Sequence, residues 1–193
     1  MPIPRIRPRM ALKATVHKAT LDVSDIDRHY YATHALTLAQ HPSETDQRLM
    51  VRVLAFALHA HERLVFGRGL SSEDEPDLWR KSLTGEIEQW IELGQPDESR
   101  LRKACGRARQ VVVVGYSGRG FDLWWDKNGT GLARLDNLCV IDVPPAVADA
   151  LAALLGRNMN LQCLIQDGHV QLMGDSASVD AAVSTRKASA KRD

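Results

Sequence analysis

A run of ten residues that is apolar at all positions but one, residues 49–58, limits the folds open to this chain. Only Arg52 places a charge within it. Ser43 and Asp46 precede the run with the spacing of a capping box, which predicts a helix with Ser43 as its N-cap. A helix that is apolar on nearly all sides is buried, because it has no polar face to turn toward water. The fold must therefore enclose this helix.

Strands are predicted both before and after the buried helix in the sequence. Residues 12–23 and 30–38 alternate between apolar and polar side chains, which predicts two strands of a hairpin. Residues 87–93 are predicted to form a strand in which Glu92 shares a face with a tryptophan. Residues 111–114 form a short continuous apolar run, which is typical of a strand covered on both faces.

The remaining segments extend this series of helices and strands. A helix is predicted after Asp97, its N-cap, because apolar residues recur at helical spacing as far as Ala108. The order of elements predicts an α/β or α+β fold in which a mixed β-sheet is flanked by helices. The other predicted elements are strands at 64–66 and 138–143, helices at 118–126 and 144–155, and a hairpin over 160–173 that turns at Asp167-Gly168.

Length and composition predict one domain with a flexible N-terminal extension and a disordered C-terminal tail. A chain of 193 residues is long enough to bury a hydrophobic core as a single domain. Residues 1–9 are rich in proline and arginine and are predicted to form a flexible extension. Residues 10–173 are predicted to form the globular domain. Residues 174–193, dominated by serine, alanine, lysine and aspartate, are predicted to be disordered.

The charge balance limits the partners of the chain. Lysine and arginine total 25 against 24 aspartate and glutamate residues, a net charge of +1. Because so small a net charge cannot hold a polyanion, any binding of DNA or RNA is expected to be weak or local. No apolar run reaches the roughly 20 residues of a membrane span, and the three cysteines lack metal-ligand spacing. A cytoplasmic protein without a membrane partner is predicted.

Two carboxylates are the first candidate functional residues. Asp77 follows a polar loop, and Glu92 lies near the end of the strand predicted at 87–93. Where the ends of neighbouring strands bring such side chains together, their oxygens suit Mg²⁺, which prefers carboxylates and water. Glu75 is an alternative to Asp77 as the first ligand. Since a bound metal can polarise a phosphoryl group and activate water, the pair predicts a phosphodiesterase site.

The cation that such a site requires is missing from its usual place. Gly94 lies where a motif of the form Pro-Asp, spacer, Asp/Glu-x-Lys would carry lysine. Arg100 and Lys103 on the next helix are the candidate replacements. Arg100 lies at the edge of the apolar stripe of that helix and could reach over the sheet, whereas Lys103 points away from the stripe. Glu44 could receive a metal-bound water, although it also suits the positive end of the buried helix.

A glycine-rich segment, Gly115 to Gly120, offers a rival site. It resembles the nucleophile elbow G-x-S-x-G around Ser117, but Arg119 stands where the second glycine belongs. Its glycine spacing also departs from a dinucleotide-binding loop. A strand-to-helix turn is favoured, with a serine hydrolase as the alternative. His59 and His61 are not expected to bind a metal jointly, because residues two apart do not share a helix face.

Several short motifs occur in a fixed order along the chain. They are Met10-Ala11-Leu12-Lys13-Ala14-Thr15, His41-Pro42-Ser43-Glu44-Thr45, Asp74-Glu75-Pro76, Trp90-Ile91-Glu92-Leu93-Gly94, Pro96-Asp97-Glu98, and Leu161-Gln162 with Ile165-Gln166-Asp167-Gly168. Over residues 10–173 the chain thereby resembles the YaeQ family of small bacterial proteins. The resemblance implies a variant of the PD-(D/E)XK, restriction-endonuclease-like fold with added strands.

The resemblance also implies roles for particular residues. Glu44 corresponds to the glutamate of the first helix, Asp77 beside Pro76 to the motif aspartate, and Glu92 to the second carboxylate. The departure at Gly94 leaves two functions open. One is a Mg²⁺-dependent nuclease-like phosphodiesterase acting on nucleic acid. The other is a catalytically inactive nuclease-fold protein with a binding or regulatory role related to transcription.

Overall fold

The computed structural model describes residues 14–68 and 74–190, which form two mixed β-sheets and four α-helices. The helices are α1 (Asp46–Leu58), α2 (Glu98–Arg107), α3 (Arg119–Leu132) and α4 (Pro145–Ala152). The strands are β1 (Thr15–Asp25), β2 (Tyr30–Gln40), β3 (Leu64–Phe66), β4 (Leu78–Lys81), β5 (Ile87–Leu93), β6 (Ala108–Gly115), β7 (Leu138–Asp142), β8 (Asn158–Gln166), β9 (His169–Met173), β10 (Ser178–Asp180) and β11 (Ser184–Lys187). In the described part of the chain, no helix has the length and apolar character needed to cross a membrane.

The first sheet contains the two hairpins that the sequence predicts. Its strand order is β10-β9-β8-β1-β2. β1 and β2 pair along their whole length without a bulge, and β8 joins β1 in parallel. The β8–β9 hairpin turns at Asp167 and Gly168, whose φ angles of 52° and 75° suit aspartate and glycine. Residues 12 and 13, at the start of the first predicted strand, lie outside the described residues.

The second sheet contains the strand predicted to be covered on both faces. Its order is β11-β7-β6-β5-β4-β3, with β5, β6 and β7 parallel. Val112 and Val114 of β6 pack in one core with α1 and α4, whereas Val111 and Val113 pack in another with α2 and α3. Because successive strand residues point to opposite faces, helices cover both sides of β6.

Helix α1 lies in the core shared by the two sheets. Its residues from Leu49 to Ala57 are all buried, which confirms the prediction from the apolar run. They pack against β1, β2 and β8 of the first sheet and against β5 and β6 of the second. The helix therefore joins the two sheets, and whatever precedes its first turn is held close to the second sheet.

The start of α1 differs from the sequence prediction. Thr45, not Ser43, is the N-cap, since its hydroxyl accepts a hydrogen bond from the Arg48 backbone N–H at 3.2 Å. The Ser43 hydroxyl instead contacts His41 Nδ1 at 2.6 Å. Glu44 is consequently the residue just before the cap, and its side chain is free to turn inward beneath the helix.

The division of strands also differs from the prediction. The sequence predicts one mixed sheet, but the described strands form two, and β4 was not predicted at all. Period-two alternation identifies the buried face of a strand but does not show which strands pair with it. Four residues, the length of β4, are too few to show the alternation clearly.

The end of the chain is ordered where disorder is predicted. Within residues 174–193, β10 pairs with β9 and β11 pairs with β7, so this segment adds an edge strand to each sheet. Arg186 of β11 donates to Asp142 and Asp122, at 2.5 Å in each case, which holds the strand in place. Residues 191–193 and the predicted extension 1–9 lie outside the described residues.

Candidate functional site

The candidate site lies where β4 and β5 pair beside the start of α1. Asp77 directly precedes β4, and the pairing of Leu78 with Ile91 brings Asp77 next to Glu92 across the two strands. The Leu93 backbone N–H donates to Asp77 Oδ2 at 2.7 Å, which fixes that carboxylate over β5. The two carboxylates that the sequence singles out are therefore neighbours, as expected for residues at adjoining strand ends.

Two arginines of α1 hold the carboxylates of Glu44 and Asp77. Arg48 donates to Glu44 Oε1 at 2.8 Å and to Asp77 Oδ1. Arg52 donates to Glu44 Oε2 at 2.9 Å. We refer to Glu44, Arg48, Arg52 and Asp77 as the buried ion-pair cluster, because the side chains are 2–13% exposed. Its charges sum to zero, as burial in a protein core requires.

The cluster shifts the proton affinity of its arginines. Burial tends to lower the pKa of Arg48, but the adjacent Asp77 and Glu44 carboxylates outweigh it and raise that pKa above its usual value. Burial lowers the pKa of Arg52, whose partner Glu44 only partly offsets the loss of water. Arg48 is therefore the more firmly charged member and the one that links the two carboxylates.

Glu92 belongs to a second, adjacent group. Its Oε1 atom accepts hydrogen bonds from Trp90 Nε1 and from Arg100 Nε, each at 2.7 Å. Arg100 also donates to the Glu75 backbone carbonyl at 2.8 Å, so it spans from α2 to the loop before β4. Burial raises the pKa of Glu92, and the hydrogen bonds from Arg100 and Trp90 oppose that rise. The predicted reach of Arg100 over the sheet and the shared face of Trp90 and Glu92 are both confirmed.

Gly94 adopts a backbone conformation that favours glycine over other residues. Its φ angle is +85°, in the left-handed region that residues with a side chain rarely adopt. Its N–H donates to the Val114 carbonyl at 2.9 Å, which ties this bend to β6. A lysine at this position would be strained even though the nearest neighbouring atom to an added Cβ, on Tyr116, is 3.9 Å away. The backbone at this position thus favours glycine over lysine.

A cleft with three basic side chains opens beside Glu92. Its volume is about 300 Å³, and α2 forms one wall. We call it the cationic cleft after Arg100, Lys103 and Arg107, although Asp74 and Asp97 also line it. The Arg107 guanidinium lies 5.4 Å from the centre of the Trp90 ring. Among residues 14–68 and 74–190, neither Lys103 nor Arg107 has a carboxylate partner.

The carboxylates do not fit a Mg²⁺ site in this arrangement. Both oxygens of Glu44 and both of Asp77 accept hydrogen bonds from guanidinium or backbone N–H groups, and Glu92 Oε1 accepts two. A metal ligand needs an oxygen lone pair directed at the ion and at most modest competition from cations. Within the described residues, no three histidine, cysteine, aspartate or glutamate side chains are grouped to hold a metal ion.

The other candidate residues lie apart from this site. The Glu75 carboxylate accepts from the Arg68 backbone N–H at 3.1 Å and forms an ion pair with the Arg68 side chain. Ser117 lies in a strand-to-helix turn, as predicted, and its hydroxyl accepts from Gln95 Nε2 at 2.8 Å. His59 is buried, and its Nδ1 atom contacts Gln89 Nε2 at 3.1 Å.

Arg48 and Arg52 contact the candidate site residues but were not predicted from the sequence. A signal for both was present. Glu44, Arg48 and Arg52 recur at intervals of four, which places them on one side of the chain as it enters the helix. Arg52 is also the single charge in the apolar run, and a buried charge requires a partner.

The fold and the site together define a class of α+β protein. In it two mixed sheets enclose a helix, and arginines of that helix pair with buried carboxylates. The chain belongs to the YaeQ family, whose model, described as YaeQ protein, matches residues 10–183. The family resemblance of the sequence motifs is thereby confirmed, and the match runs ten residues beyond residue 173, where the resemblance inferred from the sequence ends.

Relatives and solved structures agree with this assignment. The chain is 43% identical to the "Uncharacterized protein YaeQ" of Escherichia coli strain K12 over 171 residues, which cover 89% of this chain and 94% of that protein. It is 45% identical to the Salmonella typhi protein of the same name, over 84% of this chain and 90% of that protein. The crystal structure of YaeQ from Xanthomonas axonopodis pv. citri superposes with a TM-score of 0.88 at 56% identity, covering 91% and 99% of the two chains. The crystal structure of YaeQ from Pseudomonas syringae superposes with a TM-score of 0.87 at 34% identity, covering 92% of this chain and 98% of that chain.

Proposed function

We propose that this chain is a non-catalytic, cytoplasmic nucleic-acid-binding protein built on a PD-(D/E)XK nuclease-like scaffold, which binds a phosphodiester backbone in the cationic cleft. The observation that carries the proposal is the contrast between the candidate carboxylates and the basic side chains of the cleft. The carboxylates that would perform hydrolysis are paired with arginines, whereas Lys103 and Arg107 face the cleft without a carboxylate partner. Unpaired cations in a cleft attract phosphate groups.

The order of elements supports the scaffold. The nuclease-like core implied by the family resemblance is helix, three strands, helix, strand. From α1 to β6 the chain runs in that order, through β3, β4 and β5 to α2. The motif positions Glu44, Asp77 and Glu92 fall before the helix, before the second of these strands and on the third. Asp77 and Glu92 agree with the positions that the family resemblance implies, whereas Glu44 lies just before the first helix rather than within it.

The small net charge supports binding that is local. With Lys103 and Arg107 in contact with phosphate, single-stranded nucleic acid would bind with a slope of roughly −1.4 in log K against log salt concentration, at about −0.7 per contact. The acidic Asp74 and Asp97 also line the cleft and repel phosphate beside them, which keeps the contact local. Affinity is therefore expected to be modest at physiological salt and sequence-independent, since phosphate contacts carry no base information.

The Lys103→Ala variant tests this proposal directly. We expect it to weaken binding of fluorescein-labelled single-stranded DNA and RNA of mixed sequence and to reduce the salt slope by about 0.7, the share of one phosphate contact. Fluorescence anisotropy between about 50 and 200 mM salt measures both quantities.

The matched control is Arg102→Ala. Arg102 and Lys103 are adjacent exposed cations of α2, but Arg102 is paired with Glu98 at 2.5 Å and does not line the cleft. The proposal predicts wild-type binding for Arg102→Ala. Equal losses in the two variants, or no binding by the wild type at low salt, would contradict it.

Mg²⁺-dependent phosphodiester hydrolysis is the second candidate function. It is favoured by one observation, the position of Glu44, Asp77 and Glu92 in two adjoining charged groups beside the cleft. Calorimetric titration with Mg²⁺ and Mn²⁺, together with cleavage assays on mixed nucleic acids, separates the candidates. Metal binding at millimolar concentration, with cleavage abolished by Glu92→Ala, would replace the binding proposal with the enzyme. Our proposal predicts neither.

A further inference from the structure

The outer edge of β2 is a long strand edge with no strand paired to it in the described part of the chain. β2 has eleven residues, contains no aspartate, glutamate, lysine or arginine, and pairs with β1 in an uninterrupted register. Exposed edge strands usually carry lysine, proline or a bulge, because these prevent pairing with another chain. β2 carries none of the three, so its edge is open to a further strand.

We propose that β2 pairs in antiparallel fashion with β2 of a second copy of this chain, which joins the two five-stranded sheets into one continuous sheet. Strand addition of this kind supplies main-chain hydrogen bonds along the whole edge. A twofold axis makes the contact self-complementary, since the same edge serves both copies. This association is independent of the function proposed for the cationic cleft, which lies on the other sheet.

The exposed side chains of β2 match each other in a register centred on Ala35. Ala35 would then oppose Ala35 of the second copy, and Thr33 would oppose Thr37, a pairing of β-branched residues that stabilises sheets. Tyr31 would oppose Ala39. The large residue near one end of the strand thus meets the small residue near the other, which is what a twofold contact requires.

Pairing in this register would also cover two apolar side chains that are exposed in the single chain. Tyr31 is 62% exposed and Val16 is 46% exposed. Val16 lies on β1 directly beside Ala39. Tyr31 of the second copy, placed opposite Ala39, would therefore cover Val16 as well, and the twofold axis repeats this contact at the other end of the interface.

The charges and hydrogen-bonding groups of β2 allow the contact. No like charges meet, because β2 carries no acidic or basic side chain other than His34, which is half-buried against Phe56. The Ala39 carbonyl accepts a hydrogen bond from Arg52 at 3.3 Å. A carbonyl oxygen has two lone pairs, so it can accept a second bond from the neighbouring strand.

The Ala35→Lys variant tests the proposal. It places two lysines opposite each other on the twofold axis, and we expect it to raise the dimer Kd at least roughly tenfold, as measured by sedimentation velocity. Thr20→Lys is the matched control. Thr20 is exposed on the same face and pairs with Ala35, but it lies on β1, one strand away from the edge. We expect Thr20→Lys to dimerise as the wild type does.

A charge-pairing experiment distinguishes a lost contact from a misfolded variant. Ala35→Lys and Ala35→Glu should each associate more weakly than the wild type when alone and should associate more tightly when mixed, because the opposed charges then attract. Equal association of Ala35→Lys and the wild type would overturn the proposal. So would a wild type that remains monomeric up to a concentration of about 1 mM.

Residues 1–13 are the rival occupant of the β2 edge. Hydrogen exchange of the β2 amides measured at two protein concentrations separates the two. The second copy predicts protection of the outward-facing amides that increases with concentration. Protection that is independent of concentration in a monomeric chain would overturn the proposal and assign the edge to another part of the same chain.

Discussion

Replacing Arg48 with methionine is expected to lower the free energy of unfolding by about 3 kcal/mol, at the lower end of the range for breaking a buried ion pair. The variant leaves Asp77 with one hydrogen bond, from the Leu93 N–H, and leaves Glu44 with Arg52 alone. Both carboxylates are almost fully buried, so neither can regain its lost interaction from water. Methionine keeps most of the volume of the arginine stem, which confines the effect to the lost charge.

Urea denaturation followed by tryptophan fluorescence measures this change. Arg102→Met is the control, because Arg102 is exposed on α2 and its removal should change stability by no more than about 0.5 kcal/mol. The double variant Arg48→Met with Asp77→Asn should recover part of the loss, since the uncompensated charge on Asp77 is then removed. Equal stability of Arg48→Met and the wild type would show that the cluster is solvated in solution.

Acidification from pH 7 to pH 4 is expected to remove about 3 kcal/mol of stability through His59 alone. Burial lowers the pKa of His59 from 6.5 to about 4. A histidine with a lowered pKa in the folded state takes up its proton more readily in the unfolded chain. Its contribution to stability is therefore complete above pH 6.5 and is lost as the pH falls through the interval down to about 4.

The His59→Gln variant should abolish this part of the pH dependence. The relevant measurement is the slope of the unfolding free energy against pH between about 6.5 and 4, compared with the wild type. His169→Gln, at an exposed position on β9, should retain the wild-type slope. A variant slope equal to that of the wild type would mean that His59 binds its proton within the fold, and that the burial of its imidazole is incomplete.

Much of the fold can be predicted from local pattern. The apolar run from 49 to 58 predicts a buried helix, and it is buried because no polar stripe interrupts it. The four valines of β6 predict a strand between two layers for the same reason. The parallel pairing of β1 with β8 could not be predicted, because the two strands are more than a hundred residues apart and their alternation is compatible with many neighbours.

The tail shows how a distant contact overrides composition. The serine- and alanine-rich segment has little apolar surface to bury, which favours disorder. Arg186 offsets this with contacts to Asp142 and Asp122, which lie 44 and 64 residues earlier in the chain. No local window of sequence contains both partners.

The locations of the candidate carboxylates could be predicted from the sequence, but their pairing with arginines could not. The spacing of Asp77 and Glu92 places them at adjoining strands, and the register of β4 and β5 agrees. The Asp77 oxygens are held in part by Arg48, whose direction depends on where α1 begins, whereas Glu92 is held by Arg100 of α2. The sequence favours a start at Ser43, whereas the cap at Thr45 turns Glu44 inward toward Arg48 and Arg52.

The left-handed backbone at Gly94 limits the residues that this position can accept. A single codon change to lysine at position 94 would place a side chain in a conformation that costs about 1–3 kcal/mol for a residue other than glycine. A lysine at position 94 would therefore require the bend between β5 and α2 to be rebuilt. The glycine and its bend are thus coupled, so that a substitution at position 94 alone is expected to lower stability rather than to add a usable side chain to the site.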